Sequence, residues 1–202
     1  MVIINSVNRC SWVTKDQIYI DYHDKEWGVP VYEDHKIFEF LILEGAQAGL
    51  SWLTILKKRE NYRRAYDYFN PELIANYDEE KKNELLINEG IVRNKLKIES
   101  SVTNAKCFIE VQREYGTFKD YIWNFTDNKP MQQNFNSVRE LSTKNDVSDK
   151  ISRELKKRGF KFVGSTIIYA FMQATGMVND HVSSCFRYKK LHNYMLNKLV
   201  QC

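Results

Sequence analysis

Apolar residues recur every three or four positions over long stretches of this chain, which is the spacing of an amphipathic helix. Two such stretches begin at a residue that can cap a helix. Asp34 precedes a helix predicted over 35–47. Ser51 precedes a second helix, predicted to reach about Tyr68 before Asn70-Pro71 stops it.

Further helices follow from the same periodicity and from glycines that end it. We predict them over 78–90, 94–115, 118–125, 148–159 and 164–175. The stretch from Lys129 to Asp146 is polar and lacks a clear period, so we predict an irregular loop there. Alternating strand patterns are scarce, and the chain is therefore predicted to have an all-α fold.

Length and composition set wide bounds on the function. With 202 residues, 43% of them hydrophobic, the chain can bury one core as a single unit, and a division into two helical lobes stays open. No apolar run approaches the roughly 20 residues of a membrane span, and the start resembles no signal peptide. We therefore expect a soluble, cytoplasmic monomer that does not contact membranes.

The chain is basic, with a formal net charge of +4, which is compatible with a polyanionic partner without requiring one. The cations fall into two groups. They are Lys57, Lys58, Arg59, Arg63 and Arg64 in one, and Lys156, Lys157, Arg158 and Lys161 in the other. Phosphate-binding surfaces and solvated helix faces are both compatible with such groups.

Cysteine and histidine are paired near each end of the chain. Cys10 and His23 lie near the start, and His181 and Cys185 near the end. Two thiolates and two imidazoles suit a closed, tetrahedral zinc site, whose role is structural. Spacing alone does not show that the two pairs meet, so buried thiols with unrelated histidines remain the alternative. Cys107 and Cys202 have no comparable partners.

An acidic residue stands on the apolar face of the helix predicted after Asp34. Steps of 100 degrees per residue place Glu44 beside Ile37 and Phe40. A carboxylate aimed at the interior needs either a buried basic partner or a ligand that presents donors, and both alternatives stay open. Leu50 follows in a predicted turn, where it serves either as core or as a wedge.

Aromatic residues are concentrated in the first part of the chain. Trp12, Tyr19, Tyr22 and Trp27 could line a pocket for a flat, electron-poor ring, although core packing is the ordinary role of each.

Several longer segments carry a family resemblance. They are Arg9–Trp12, Tyr22–Pro30, Leu43–Trp52, Lys156–Gly164 and Val178–His181. In this order they resemble the 3-methyladenine DNA glycosylase I family of the helix-hairpin-helix superfamily. The similarity covers residues 10–185, and the tail 189–202 lies outside it.

The resemblance implies roles for individual residues. It implies one structural Zn²⁺, no organic cofactor, and the zinc ligands Cys10, His23, His181 and Cys185. It implies that Glu44 and Tyr22 are catalytic and contact the base together with Trp52 and Trp12. The implied DNA-binding residues are Leu50, Lys161, Gly164, Ser165 and Thr166, of which Leu50 would be an apolar plug.

The implied activity is removal of 3-methyladenine from double-stranded DNA that contains alkylated bases. The base would be flipped into a pocket between helical lobes and its N-glycosidic bond hydrolysed. Asn179 stands where many members of the superfamily carry a catalytic Asp, and 164–170 contain no Lys that could act as a lyase nucleophile. We therefore expect a monofunctional enzyme. The alternatives are a zinc-dependent DNA-binding module without catalysis and a glycosylase for oxidised bases.

Overall fold

The structure is a computed structural model that describes residues 7–199, with side chains as far as residue 193. The predictions for the start of the chain and for Cys202 concern residues outside this range. The described helices are α1 (Gln17–Lys25), α2 (Asp34–Gln47), α3 (Trp52–Ala65), α4 (Pro71–Ala75), α5 (Glu79–Ile87), α6 (Lys95–Tyr115), α7 (Phe118–Trp123), α8 (Asp146–Lys157), α9 (Ser165–Ala174) and α10 (Phe186–Leu199). Two short strands, β1 (Met131–Gln132) and β2 (Val178–Asn179), pair in parallel. The predicted helical fold is thus confirmed.

Several predicted helix ends are confirmed by their local chemistry. The side chains of Ser51, Asp78 and Asn94 each accept a hydrogen bond from a backbone amide three residues on, at the starts of α3, α5 and α6. Gly116 ends α6 with φ at 85°, a left-handed conformation that glycine adopts without strain.

The role predicted for Asp34 is wrong. Glu33 occupies the N-cap of α2, and Asp34 is the first residue of the helix. The carboxylate of Asp34 instead accepts hydrogen bonds from the backbone amides of Phe118 and Lys119, at 2.8 Å each. Asp34 therefore binds amides that have no partner within the helix at the start of α7, which is distant in the sequence.

Three other boundaries differ from prediction. Helix α3 ends at Ala65 because residues 67–69 form a left-handed turn with φ between 47° and 59°. Helix α5 ends at Ile87 rather than at Gly90. Helix α8 begins at Asp146, because Asn145 is the N-cap and Ser148 completes a reciprocal capping box with it.

The pattern missed two features that position the segments carrying His23 and His181. Helix α1 has only nine residues, so few repeats of its hydrophobic period are present in the sequence. The stretch predicted as an irregular loop contains β1, whose pairing with β2 fixes it beside the segment that carries His181. Helix α10 begins at Phe186, before the tail, and continues into it.

Helix α2 lies at the centre of the fold. It packs against α3, α6, α7 and α9, and ten of its fourteen residues are buried. A helix covered on all sides holds its side chains in fixed positions. Glu44 in the last turn of α2 is therefore held within the protein, at 3% exposure.

Among the described residues, no helix has the length and apolar content needed to cross a bilayer.

Candidate functional site

The structure brings together the two Cys/His pairs from the ends of the chain. One potential ligand atom from each of Cys10, His23, His181 and Cys185 lies within 4.8 Å of the others, and all four residues are buried. The Cys185 Sγ atom lies 3.5 Å from both His23 Nε2 and His181 Nδ1. Cys10 Sγ lies 3.6 Å from His181 Nδ1. Four such groups could hold one metal ion.

In each imidazole, the ring nitrogen that faces away from the sulfur atoms also has a hydrogen-bonding partner. His23 Nδ1 lies 2.7 Å from a carboxylate oxygen of Asp24, which in turn forms an ion pair with Arg9. His181 Nε2 lies 3.1 Å from the backbone carbonyl of Trp27. These acceptors orient both rings so that the opposite nitrogens face the two sulfur atoms, as is usual around protein metal sites.

Aromatic residues link this cluster to an adjacent cavity. The Trp12 ring centroid lies 5.2 Å from that of His23 and 4.9 Å from that of Trp27. Trp27 in turn packs edge-on to His181 at 4.6 Å. The two histidines of the cluster thereby pack against one wall of the cavity.

The cavity, which we call the aromatic cavity, has a volume of about 190 Å³. Its walls are formed in part by Glu44 and by every aromatic residue proposed for the pocket from the sequence, namely Trp12, Tyr19, Tyr22, Trp27 and Trp52. Sequence reasoning missed four further lining residues, Gln47, Leu141, Ala170 and Gln173. Gln47 lies one turn after Glu44 on α2, a spacing that the sequence could have revealed. The other three come from distant segments.

Glu44 reaches the aromatic cavity as a buried carboxyl group with an unused atom. Its Oε2 has no hydrogen-bond partner within the protein. Burial raises the pKa of Glu44 from its ordinary 4.5 to about 8. An isolated buried acid is costly to the fold, and such a group is typical of a ligand-binding site.

Two aromatic residues beside Glu44 supply a stacking surface and further polar atoms. The rings of Tyr22 and Trp52 lie 5.4 Å apart. Burial, and then the nearby Glu44 carboxylate, raise the pKa of Tyr22 well above its ordinary value, so its hydroxyl keeps its proton. Trp52 Nε1 is buried without an acceptor. Two residues that line the cavity therefore carry a buried, unpaired donor and a buried, unpaired acceptor.

The turn between α2 and α3 carries an exposed leucine. Gly49 has φ at 79°, and the side chain of Leu50 after it is 41% exposed. Lys97 from α6 supports this turn, because its Nζ donates to the carbonyls of Ala46 and Ala48 at 2.7 Å each. These contacts satisfy carbonyls that the end of α2 leaves open.

A tight hairpin joins α8 to α9. The amide and carbonyl of Lys161 pair with the buried side chain of Asn104. Phe162 has φ at 53° and packs on Gly45. Gly164 is the N-cap of α9 and offers no side chain to its first amides. Ser165 and Thr166 form the first turn, where the Ser165 hydroxyl lies 2.9 Å from that of Ser148.

Many of the sequence-identified cations are engaged in ion pairs. Arg59 bridges Glu26 and Glu39, and Arg63 also reaches Glu39. Arg158 pairs with Glu114. The first group thus fits an ion-paired helix face better than a phosphate-binding surface.

Asn179 does not line the aromatic cavity. It is fully buried, and its amide nitrogen donates to Gln132 Oε1 at 2.9 Å and to the carbonyl of Tyr188 at 3.3 Å. Its Oδ1 accepts from the amide of His181 at 3.3 Å. Asn179 joins β2, β1 near the start of the stretch at 129–146, and α10.

Comparison with known proteins finds relatives that match most of this chain. The methyladenine glycosylase family model matches residues 12–188. DNA-3-methyladenine glycosylase 1 of Escherichia coli (strain K12) is 46% identical over 182 residues, which cover 90% of this chain and 97% of the relative. The DNA-3-methyladenine glycosylase of Haemophilus influenzae is 46% identical over 177 residues, covering 88% and 96%.

Solved structures agree with this comparison. A crystal structure of a 3-methyladenine DNA glycosylase I matches with a TM-score of 0.87 at 48% identity, covering 89% of this chain and 98% of that one. The Staphylococcus aureus enzyme, whose structure addresses 3-methyladenine recognition, matches with a TM-score of 0.87 at 35% identity, covering 90% and 97%. By sequence and by structure, the chain belongs to the methyladenine glycosylase family.

Proposed function

We propose that the protein removes 3-methyladenine from alkylated double-stranded DNA and leaves an abasic site. The observation that carries this proposal is the buried, unpaired carboxyl group of Glu44 inside the aromatic cavity. The names of the relatives point to the same substrate, and one structural neighbour was crystallised with 3-methyladenine.

Selection of the base follows from its charge. Methylation at N3 makes the DNA-linked adenine cationic, which both weakens its glycosidic bond and strengthens its attraction to aromatic faces and a carboxylate. A cation beside Glu44 favours the ionised form and lowers the pKa that burial raised. The rings of Tyr22, Trp12 and Trp52 would stack on the base or border it. Unmodified adenine has no positive charge and would therefore bind more weakly in this cavity.

We further propose that the four Cys/His residues bind one structural Zn²⁺. A tetrahedral zinc ion with Zn–S of about 2.3 Å and Zn–N of about 2.0 Å would separate sulfur and nitrogen ligands by about 3.5 Å. The observed separations of 3.5–3.6 Å fit this geometry. With four protein ligands the ion would tie the chain ends together and hold Trp27 in place, without taking part in the reaction.

Duplex DNA would be held by the turn and the hairpin beside the cavity. Leu50 would fill the space that the flipped base leaves in the stack. The open amides at the start of α9, around Gly164, Ser165 and Thr166, suit a phosphate, and Lys161 adds a positive charge.

The enzyme would act as a monofunctional glycosylase. In the described part of the chain, the residues that line the aromatic cavity include no lysine that could form a Schiff base with the sugar. A DNA-binding module without catalysis would have no use for Glu44 in this cavity. The monomeric state, the cytoplasmic location and the placement of the cavity between two lobes of one unit stay predictions.

The decisive experiment is incubation with duplex DNA treated with a methylating agent, followed by chromatographic identification of the released bases. We expect 3-methyladenine and an intact abasic strand. Release of oxidised bases, or binding without any release, would contradict the proposal.

A further inference from the structure

A hydrogen-bonded group lies directly behind one wall of the aromatic cavity. Gln173 lines the cavity near the end of α9, and Tyr169 lies one turn earlier on the same helix. Asp180 follows β2 and is 1% exposed. Its Oδ2 accepts from Gln173 Nε2 at 2.7 Å and from the Tyr169 hydroxyl at 2.8 Å. Asp180 thus connects the cavity wall to the segment beside the Cys/His cluster.

These contacts decide which way the Gln173 amide points. The two ends of an amide differ, because the nitrogen only donates and the oxygen only accepts. Asp180 Oδ2 is an acceptor for two donors, so the amide nitrogen of Gln173 must face it. The Gln173 Oε1 atom is then left as an acceptor on a residue that borders the cavity.

We propose that Gln173 is a second base-recognition residue, whose Oε1 accepts a hydrogen bond from the amine edge of the flipped base, and that Asp180 is its positioning residue. This inference rests on the proposed function. The exocyclic amine of 3-methyladenine carries two hydrogens, and Glu44 and Gln173 offer one acceptor group each. An amine would satisfy both acceptors, whereas a base without it would leave both unpaired.

Asp180 stands directly after Asn179, the position at which the sequence analysis looked for a catalytic Asp, and this explains why the positioning role of Asp180 was not expected. Asn179 points to Gln132 and Tyr188, while the neighbouring Asp180 points to Gln173. Successive residues of an extended segment face opposite sides, so the residue that serves the cavity is the one after the expected position.

The test compares two free bases, 3-methyladenine and 3-methylpurine, which lacks the amine. Their dissociation constants are measured from tryptophan fluorescence for the full chain and for Gln173→Met. We expect the variant to bind 3-methyladenine about fivefold more weakly, which corresponds to one hydrogen bond, and 3-methylpurine as tightly as the wild type or more tightly, because Met leaves no acceptor unpaired. Equal weakening for both bases, or no weakening, would overturn the role of Gln173.

The positioning role is tested with Asp180→Asn and Tyr169→Phe, with metal content and thermal stability measured in parallel. An amide at position 180 can pair with the Gln173 amide in either orientation, so Gln173 Oε1 would no longer be held toward the base. The preference for 3-methyladenine over 3-methylpurine should therefore fall severalfold. Tyr169→Phe perturbs Asp180 without altering the chain next to His181 and should shift the preference in the same direction, by less. Unchanged preference in either variant would refute positioning by Asp180. A wild-type chain that releases no 3-methyladenine would instead refute the proposed function.

Discussion

Replacing Glu44 by Gln should stabilise the ligand-free protein, and the gain should grow with pH. The replacement keeps the shape of the side chain and removes its ionisation. Burial raises the pKa of Glu44 from 4.5 to about 8, so the folded chain keeps a proton that the unfolded chain releases above about pH 4.5. The free energy of unfolding of the wild type therefore falls as pH rises from about 4.5 to 8 and levels off above that range.

The size of the effect follows from the two pKa values. Each pKa unit corresponds to about 1.4 kcal/mol, so ionisation destabilises the folded wild type by about 2 kcal/mol at pH 6, about 3 kcal/mol at pH 7 and about 5 kcal/mol at pH 9. Gln does not ionise, so its contribution to the free energy of unfolding does not change with pH. The advantage of Glu44→Gln should therefore increase by about 3 kcal/mol between pH 6 and pH 9.

Urea unfolding followed by tryptophan fluorescence at pH 6, 7, 8 and 9 measures this difference for the two proteins. Any metal released on unfolding contributes equally to both and cancels in the comparison. Glu110→Gln, on the exposed face of α6, controls for the loss of one negative charge from the surface. A Glu44→Gln advantage that does not change with pH would refute the reasoning.

Three further predictions follow from the site. Metal analysis should find about one equivalent of zinc per chain, and Cys10→Ser should lose the zinc together with thermal stability; unchanged metal content would exclude this site. Lys97→Met removes two hydrogen bonds under the turn that carries Leu50, so it should slow excision from duplex DNA severalfold while free 3-methyladenine binds normally. Loss of both activities would instead show that Lys97 supports the cavity. Borohydride treatment with an abasic duplex should trap no protein, whereas an adduct that depends on one lysine would contradict the monofunctional assignment.

Local chemistry made much of the helical architecture predictable. Caps such as Ser51 and Asn94 act on amides only three residues away, so their effect is visible in the sequence. Asp34 has the same chemistry, but its partners lie 84 and 85 residues away on α7. A residue of the capping type therefore predicts that its side chain binds the first amides of a helix, without showing which helix that is.

The candidate site was predictable only where residue type carries the information. Cys and His near both ends indicate a metal, while their meeting depends on contacts between the two ends of the chain, such as the hydrogen bond from the Phe186 amide to the Asn8 carbonyl. Glu44 stood out because an acid on an apolar face is unusual. Leu141 and Gln173 are ordinary residues in their own segments, and only the folded chain shows that they border the cavity.

The central claim, that Glu44 recognises the cationic base, is tested most directly by single-turnover excision of 3-methyladenine from methylated duplex DNA. Wild type, Glu44→Gln and the surface control Glu110→Gln are compared at one pH. Loss of a charged hydrogen bond in the cavity is worth about 1.5–3 kcal/mol, so Glu44→Gln should be roughly tenfold to hundredfold slower although its fold is more stable. The control should match the wild type. A Glu44→Gln rate equal to that of the wild type would contradict the account.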